Sequence, residues 1–139
     1  MRVLFIVFVV LIVNVFGASK HISWEESLAV ATTKSQKTNK PILLMVTYVN
    51  CPECRYMDKV VFKKDKINSY INTNFIPIAF EFDDPKLPEK FKQFGIPRFY
   101  FSDDKLNVYK KHLGGMRTKQ LDSLLKEQLE AYKTAKQEG

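Results

Sequence analysis

A mostly apolar run from Ile42 to Tyr48, opened by Pro41, leads after Val49 and Asn50 into Cys51-Pro52-Glu53-Cys54. So short a run suits a strand covered on both faces better than a helix, so the chain must provide a layer on either side of it. Pro52 fits the first turn of a following helix, where its missing N–H has no partner to lose, and Met57, Val60, Val61 and Phe62 carry the apolar positions onward. A central strand that turns at a cysteine directly into a helix is therefore the feature around which everything else must be arranged. With 139 residues, 45% of them apolar and 13% aromatic, the chain has material for one packed domain. That excludes a multidomain enzyme and a disordered or collagen-like chain.

The flanking patterns fill in the layers. Ser23 and Glu26 fit a capping box, and Trp24, Leu28, Ala31 and Thr32 recur at helical spacing, predicting a first helix from about Trp24 to Gln36. Asp65 can cap a helix through Ile67, Tyr70 and Ile71 that ends near Asn72 to Asn74, and Phe75 to Phe82 reads as a second strand in which Pro77 is the weak point. Lys86 to Phe94 is expected to form a short helix closed by Gly95. Arg98–Ser102 and Leu106–Lys111 read as a hairpin around Asp103, Asp104 and Lys105. From Thr118, the spacing of Leu121, Leu124, Leu125, Leu129 and Tyr132 marks an amphipathic last helix. The order implies an α/β fold: a mixed sheet with helices on both faces, its first two strands made parallel by a right-handed crossover.

The N-terminus has the layout of an export signal: Met1, Arg2, an unbroken apolar run from Val3 to Val13, then small residues at Gly17, Ala18 and Ser19. The run is shorter than the roughly 20 residues a membrane-spanning helix needs. The expected organisation is a signal peptide over 1–18, cleaved near residues 17–19, and one exported domain over 19–139. A retained anchor is the alternative, since Val15 and Phe16 extend the apolar stretch past Asn14. Loss of Arg2 leaves 21 basic against 15 acidic residues. The lysines are interleaved with acids and no nucleic-acid module is present, which points to solubility and weak steering rather than nucleic-acid binding.

Cys51 and Cys54 are the only cysteines, spaced so that both sulfurs can meet across one helical turn. At a helix start, partial positive charge and free amides favour a thiolate, which activates Cys51; Cys54, one turn inside, would be the resolving thiol. Two other uses compete. A structural disulfide closing so short a loop would stabilise little, at the low end of about 2–4 kcal/mol. A closed zinc site needs about four ligands, and His21 and His112 are far apart in sequence with no second CxxC.

Residues 40–58, from Lys40-Pro41 through Cys51-Pro52-Glu53-Cys54 to Asp58, together with Val61-Phe62, Asn74-Phe75-Ile76, Gly95-Ile96-Pro97-Arg98-Phe99 and the Gly114-Gly115 turn, resemble the thioredoxin superfamily. They are most similar to its exported branch, typified by the C-terminal domain of the DsbD reductant carrier. The resemblance implies a thioredoxin-like fold with a central mixed sheet of four to five strands flanked by helices. It also implies that Pro97 is cis and faces the cysteine pair, with the Ile96 backbone free to pair with an extended substrate segment. Asn50, Pro52, Glu53, Ile96 and Pro97 are thus the candidate substrate-binding residues, and Cys51, Cys54 and Asp58 the catalytic ones. Asn50 stands where the family usually has Trp. Met45, six residues before Cys51, replaces the buried acid of many thioredoxins. Asp58, four residues after Cys54, is the expected substitute proton acceptor, the alternative being a solvated helix carboxylate.

The expected function is thiol–disulfide exchange: a reductase of disulfides in exported proteins, needing no metal or organic cofactor beyond the Cys51/Cys54 pair itself. The resemblance implies a membrane electron donor of the DsbD or CcdA type; the expected location, after signal cleavage near residues 17–19, is periplasmic or otherwise exported, and the expected state is a monomer. A negative charge at Glu53, partly offset by Arg55, disfavours the thiolate and so favours a reducing potential, nearer to about −270 mV than to about −120 mV. An oxidase of the same fold and a redox-regulated binding or chaperone module are the competing functions.

Overall fold

The computed structural model describes residues 21–139; the expected signal peptide over 1–18 lies outside the described residues. Four strands, β1 (Ile42–Thr47), β2 (Ile76–Glu81), β3 (Arg98–Ser102) and β4 (Val108–Leu113), form one sheet in the order β2-β1-β3-β4. β1 pairs with β2 in parallel and with β3 antiparallel, and β3 and β4 form the hairpin. The helices are α1 (Leu28–Thr38), α2 (Pro52–Tyr56), α3 (Asp65–Asn74) and α4 (Thr118–Glu138). The expected mixed sheet flanked by helices is what the chain builds, with four strands.

Strand alternation divides the core into two layers. Leu43, Met45, Phe99 and Phe101 face one side, where they pack with Met57, Ile67, Ile71, Leu121 and Leu125 from the turn after α2, from α3 and from α4. Ile42, Leu44, Val46 and Tyr100 face the other, against Ala31 of α1 and against Leu87 and Phe91. β1 is therefore buried on both faces, as its continuous apolar run required. At the sheet edge, β2 tolerates Pro77, which pairs with Leu43.

Several boundaries depart from the sequence reading where a distant partner or a backbone restriction outweighs local propensity. α1 starts at Leu28, not Trp24: Ser27, not Ser23, caps it, with its Oγ accepting from the Val30 amide at 3.2 Å. The Ser23 amide is taken by Asn72 Oδ1 at 2.9 Å and the Glu25 amide by the Pro77 carbonyl at 2.8 Å, so this segment is tied to α3 and β2 rather than wound into a helix. The helix expected over Lys86–Phe94 is one 3₁₀ turn, Glu89–Phe91, because Pro88 disfavours helical backbone at Leu87 before it and itself sits extended (ψ 144°) at the start of the turn. β4 begins at Val108 rather than Leu106. Leu106 has a left-handed backbone (φ 61°), and the Asp103 carboxylate gathers the Lys105 and Asn107 amides into a tight loop. Asp65 is the first residue of α3, and the cap position belongs to Lys64.

Candidate active site

β1 ends at Thr47 and the chain reaches Cys51 in four residues, with the Cys51 amide bonded back to the Tyr48 carbonyl at 3.2 Å. Cys51 has extended backbone (φ −104°, ψ 111°) and is the N-cap of α2, Pro52 occupying the first turn. Its Sγ accepts a hydrogen bond from the Cys54 amide at 3.1 Å. Cys51 and Cys54 form a disulfide with Cα atoms 5.2 Å apart. The amide that caps the Cys51 sulfur is placed to stabilise a thiolate there once the bond opens, since hydrogen bonding to the charged form lowers a thiol pKa. Both cysteines are buried, Cys51 at 7% exposure and Cys54 at 4%.

After α2 the backbone widens into one π turn, Met57–Val61, with the Phe62 amide bonded to the Met57 carbonyl at 2.8 Å. Such turns concentrate at functional sites. Here the turn keeps Met57 and Val61 in the core while Asp58 lines a half-open cleft of about 240 Å³ behind Cys54. Trp24, Met45, Thr47 and Glu81 line the same cleft. Asp58 is half-buried, and its Oδ1 is buried with no hydrogen-bond partner among the described residues. It is not a freely solvated helix carboxylate. Burial holds the Glu81 carboxyl above its ordinary value, helped by the like charges of Asp83 and Asp84 and opposed by a backbone hydrogen bond from Val49.

The Ile96–Pro97 peptide is cis, with Pro97 buried and Ile96 half-buried. Gly95, at φ +94°, makes the turn into it. The Pro97 carbonyl accepts from the Gly114 amide at 2.8 Å, and the next amide, that of Gly115, donates to Glu53 Oε2 at 2.9 Å. The Gly114–Gly115 turn thus bonds both to the loop carrying Pro97 and to the residue between the cysteines. Asn50, Pro52 and Glu53, which flank the cysteines in sequence, are exposed, as are the apolar Val49 at 67% and Phe94 at 96%. Sequence reasoning singled out neither Glu81 nor Trp24. A carboxylate at the carboxyl end of a parallel strand beside β1, where α/β sheets place their sites, was the available signal for Glu81.

Residues 28–129 match the thioredoxin-like domain family, and the chain belongs to that family. Together with the paired cysteines at the strand-to-helix junction, this gives the chain a thioredoxin-like domain with a CxxC disulfide. Among solved structures it is similar to the DsbH oxidoreductase, at 22% identity and a TM-score of 0.64 over 81% of this chain and 88% of that one. It is likewise similar to the oxidised C-terminal domain of Neisseria meningitidis DsbD, at 16% identity and a TM-score of 0.60, covering 72% and 90% of the two chains. At these identities the likeness is one of fold. A stretch of 48 residues is 38% identical to spermatogenesis-associated protein 20 of Rattus norvegicus, spanning 34% of this chain and only 6% of the rat protein.

Proposed function

We propose that the protein reduces disulfides of exported proteins, using Cys51 as the attacking thiolate and Cys54 as the resolving thiol. The observation that carries this reading is the asymmetry of the pair. Cys51 Sγ caps the start of α2 and holds the Cys54 amide, whereas Cys54 lines a cleft shared with two carboxylates. One sulfur is built to be a stable anion and the other to give up a proton on demand, which is the division of labour that exchange through a mixed disulfide needs. The Ile96 backbone beside the cis bond, with exposed Phe94 and Val49, offers an extended substrate segment a polar edge and an apolar rest. No organic cofactor or metal takes part. Electrons arrive from a dithiol donor, and a membrane carrier of the DsbD or CcdA type suits an exported domain released by cleavage near residues 17–19. The domain acts as a monomer.

The direct test is insulin reduction by purified protein with dithiothreitol, joined to trapping with Cys54→Ser. The reductase reading expects turnover by the wild type, none by Cys51→Ser, and covalently trapped partners with Cys54→Ser. A binding module retains its partners without forming any such covalent species. In cells, a largely dithiol pair supports reduction and a largely bridged one supports oxidation.

A further inference from the structure

Three polar atoms of the cleft lining are buried with no partner among the described residues: Asp58 Oδ1, Glu81 Oε2 and Trp24 Nε1. Unpaired buried groups of this kind are normally satisfied by ordered water, and a cleft of about 240 Å³ has room for several molecules of about 30 Å³ each. The two acids come from different parts of the fold. Asp58 sits one helical turn beyond Cys54, whereas Glu81 ends β2. Parallel register sets Met45 beside Ala79 and Thr47 beside Glu81, and all four line the cleft, so they share one face of the sheet. Position 45 holds a thioether, and the nearest strand-borne carboxylate on that face is the one at position 81.

We propose that Glu81, acting with Asp58 through water in the cleft, accepts the proton that Cys54 releases when it resolves a mixed disulfide. The inference rests on the exchange reading above and assigns its proton to named groups. In the mixed disulfide, Cys51 Sγ is bonded to a substrate sulfur. Cys54 passes its proton to the acid pair, and the thiolate's electron pair forms the Cys51–Cys54 bond while the bond from Cys51 to the substrate breaks. The substrate sulfur leaves with that electron pair and takes a proton from solvent. The protein pair has then lost two electrons and the substrate disulfide has gained two. A dithiol donor later restores both thiols, drawing the stored proton back.

Glu81 shares the cleft and its rim with groups from every element packed around it. Asp58 and Arg55 line the cleft from the α2 side, Tyr48 and Cys54 lie along it, Asp83 and Asp84 follow β2, and Trp24 brings an uncharged donor from the segment leading into α1. Burial and the like charges of Asp83 and Asp84 raise the proton affinity of Glu81, against a backbone hydrogen bond from Val49 that lowers it.

The dithiol protein mixed with an aromatic disulfide reagent releases one coloured thiolate as Cys51 attacks and a second as Cys54 resolves. Glu81→Gln should leave the first phase unchanged and slow the second about tenfold or more near neutral pH, moving its profile to alkaline pH. Glu81→Asp should recover much of the rate. If both wild-type phases appear and Glu81→Gln matches them at every pH, the acid pair is refuted while the exchange reading stands. If the wild type releases neither thiolate, the exchange reading fails as well. A measurement on unaltered protein covers a variant that does not fold. The infrared difference between dithiol and disulfide forms should contain a carboxylic C=O band, and a spectrum without one overturns the proposal.

Discussion

Glu53 and Gly115 are joined by a 2.9 Å hydrogen bond that spans 62 residues, from the carboxylate between the two cysteines to the amide just before α4. The bond immobilises the one charge that lies inside the CxxC ring and ties it to the turn that also bonds the Pro97 carbonyl. Glu53 thereby acts on the sulfurs as a fixed negative charge.

Replacing that charge should move the redox poise. Glu53→Gln removes the repulsion that opposes a Cys51 thiolate, stabilises the dithiol form and makes the pair more oxidising. The expected change is up to about 30 mV, one tenfold step of a two-electron couple. Equilibration with glutathione buffers reads it directly. The wild type should fall nearer to about −270 mV than to about −120 mV, and a variant more reducing than the wild type would contradict the assigned role.

Gly95 tests the backbone of the proline loop. Its φ of +94° is strained for any residue with a Cβ, and an added methyl would lie 2.7 Å from Leu113 Cδ1. Leu113 is exposed and can swing aside, so the backbone term dominates. Gly95→Ala should cost about 1–2 kcal/mol, seen as a lower urea midpoint with an unchanged slope.

Stability should carry the signature of Glu81. Its carboxyl is raised above the ordinary value of 4.5, so folding favours the protonated form and is penalised as pH rises through the folded-state value. Below the unfolded value both states are neutral and the penalty vanishes. Glu81→Gln should therefore unfold at a higher urea midpoint than the wild type at neutral pH and converge with it below about pH 4. Equal midpoints at neutral pH would argue against a desolvated carboxylate.

Trp24 offers an optical check on the cleft. It is the chain's single tryptophan, it packs edge-on against Phe62 at 5.8 Å between centroids, and it lines the cleft that holds Cys54. A disulfide quenches a neighbouring indole, so emission should rise when dithiothreitol opens the bond. The rise should be missing from a Cys51→Ser, Cys54→Ser protein, whose emission ought to ignore reductant.

Local chemistry made much of this molecule legible from its residues. The apolar run of β1, Pro52 at the first turn of α2 and the leucine spacing of α4 each reflect forces acting within a few residues, and those elements lie where the patterns placed them, whereas Gly95 has its positive φ without the helix it was expected to close. The same holds for the two cysteines, whose spacing alone lets their sulfurs meet. Patterns failed where long-range bonds compete, as at Ser23, whose amide prefers Asn72 to a local cap.

What surrounds Cys54 was decided only in three dimensions. Trp24 precedes it by 30 residues and Glu81 follows it by 27, and neither position carries a periodic or capping signal that points to a sulfur. The parallel register of β1 with β2 brings Glu81 to the cleft, and the Glu25–Pro77 backbone bond anchors the segment that bears Trp24. Reactive atoms can be read from their immediate neighbours, but the dielectric and the proton acceptors around them depend on which strands lie side by side.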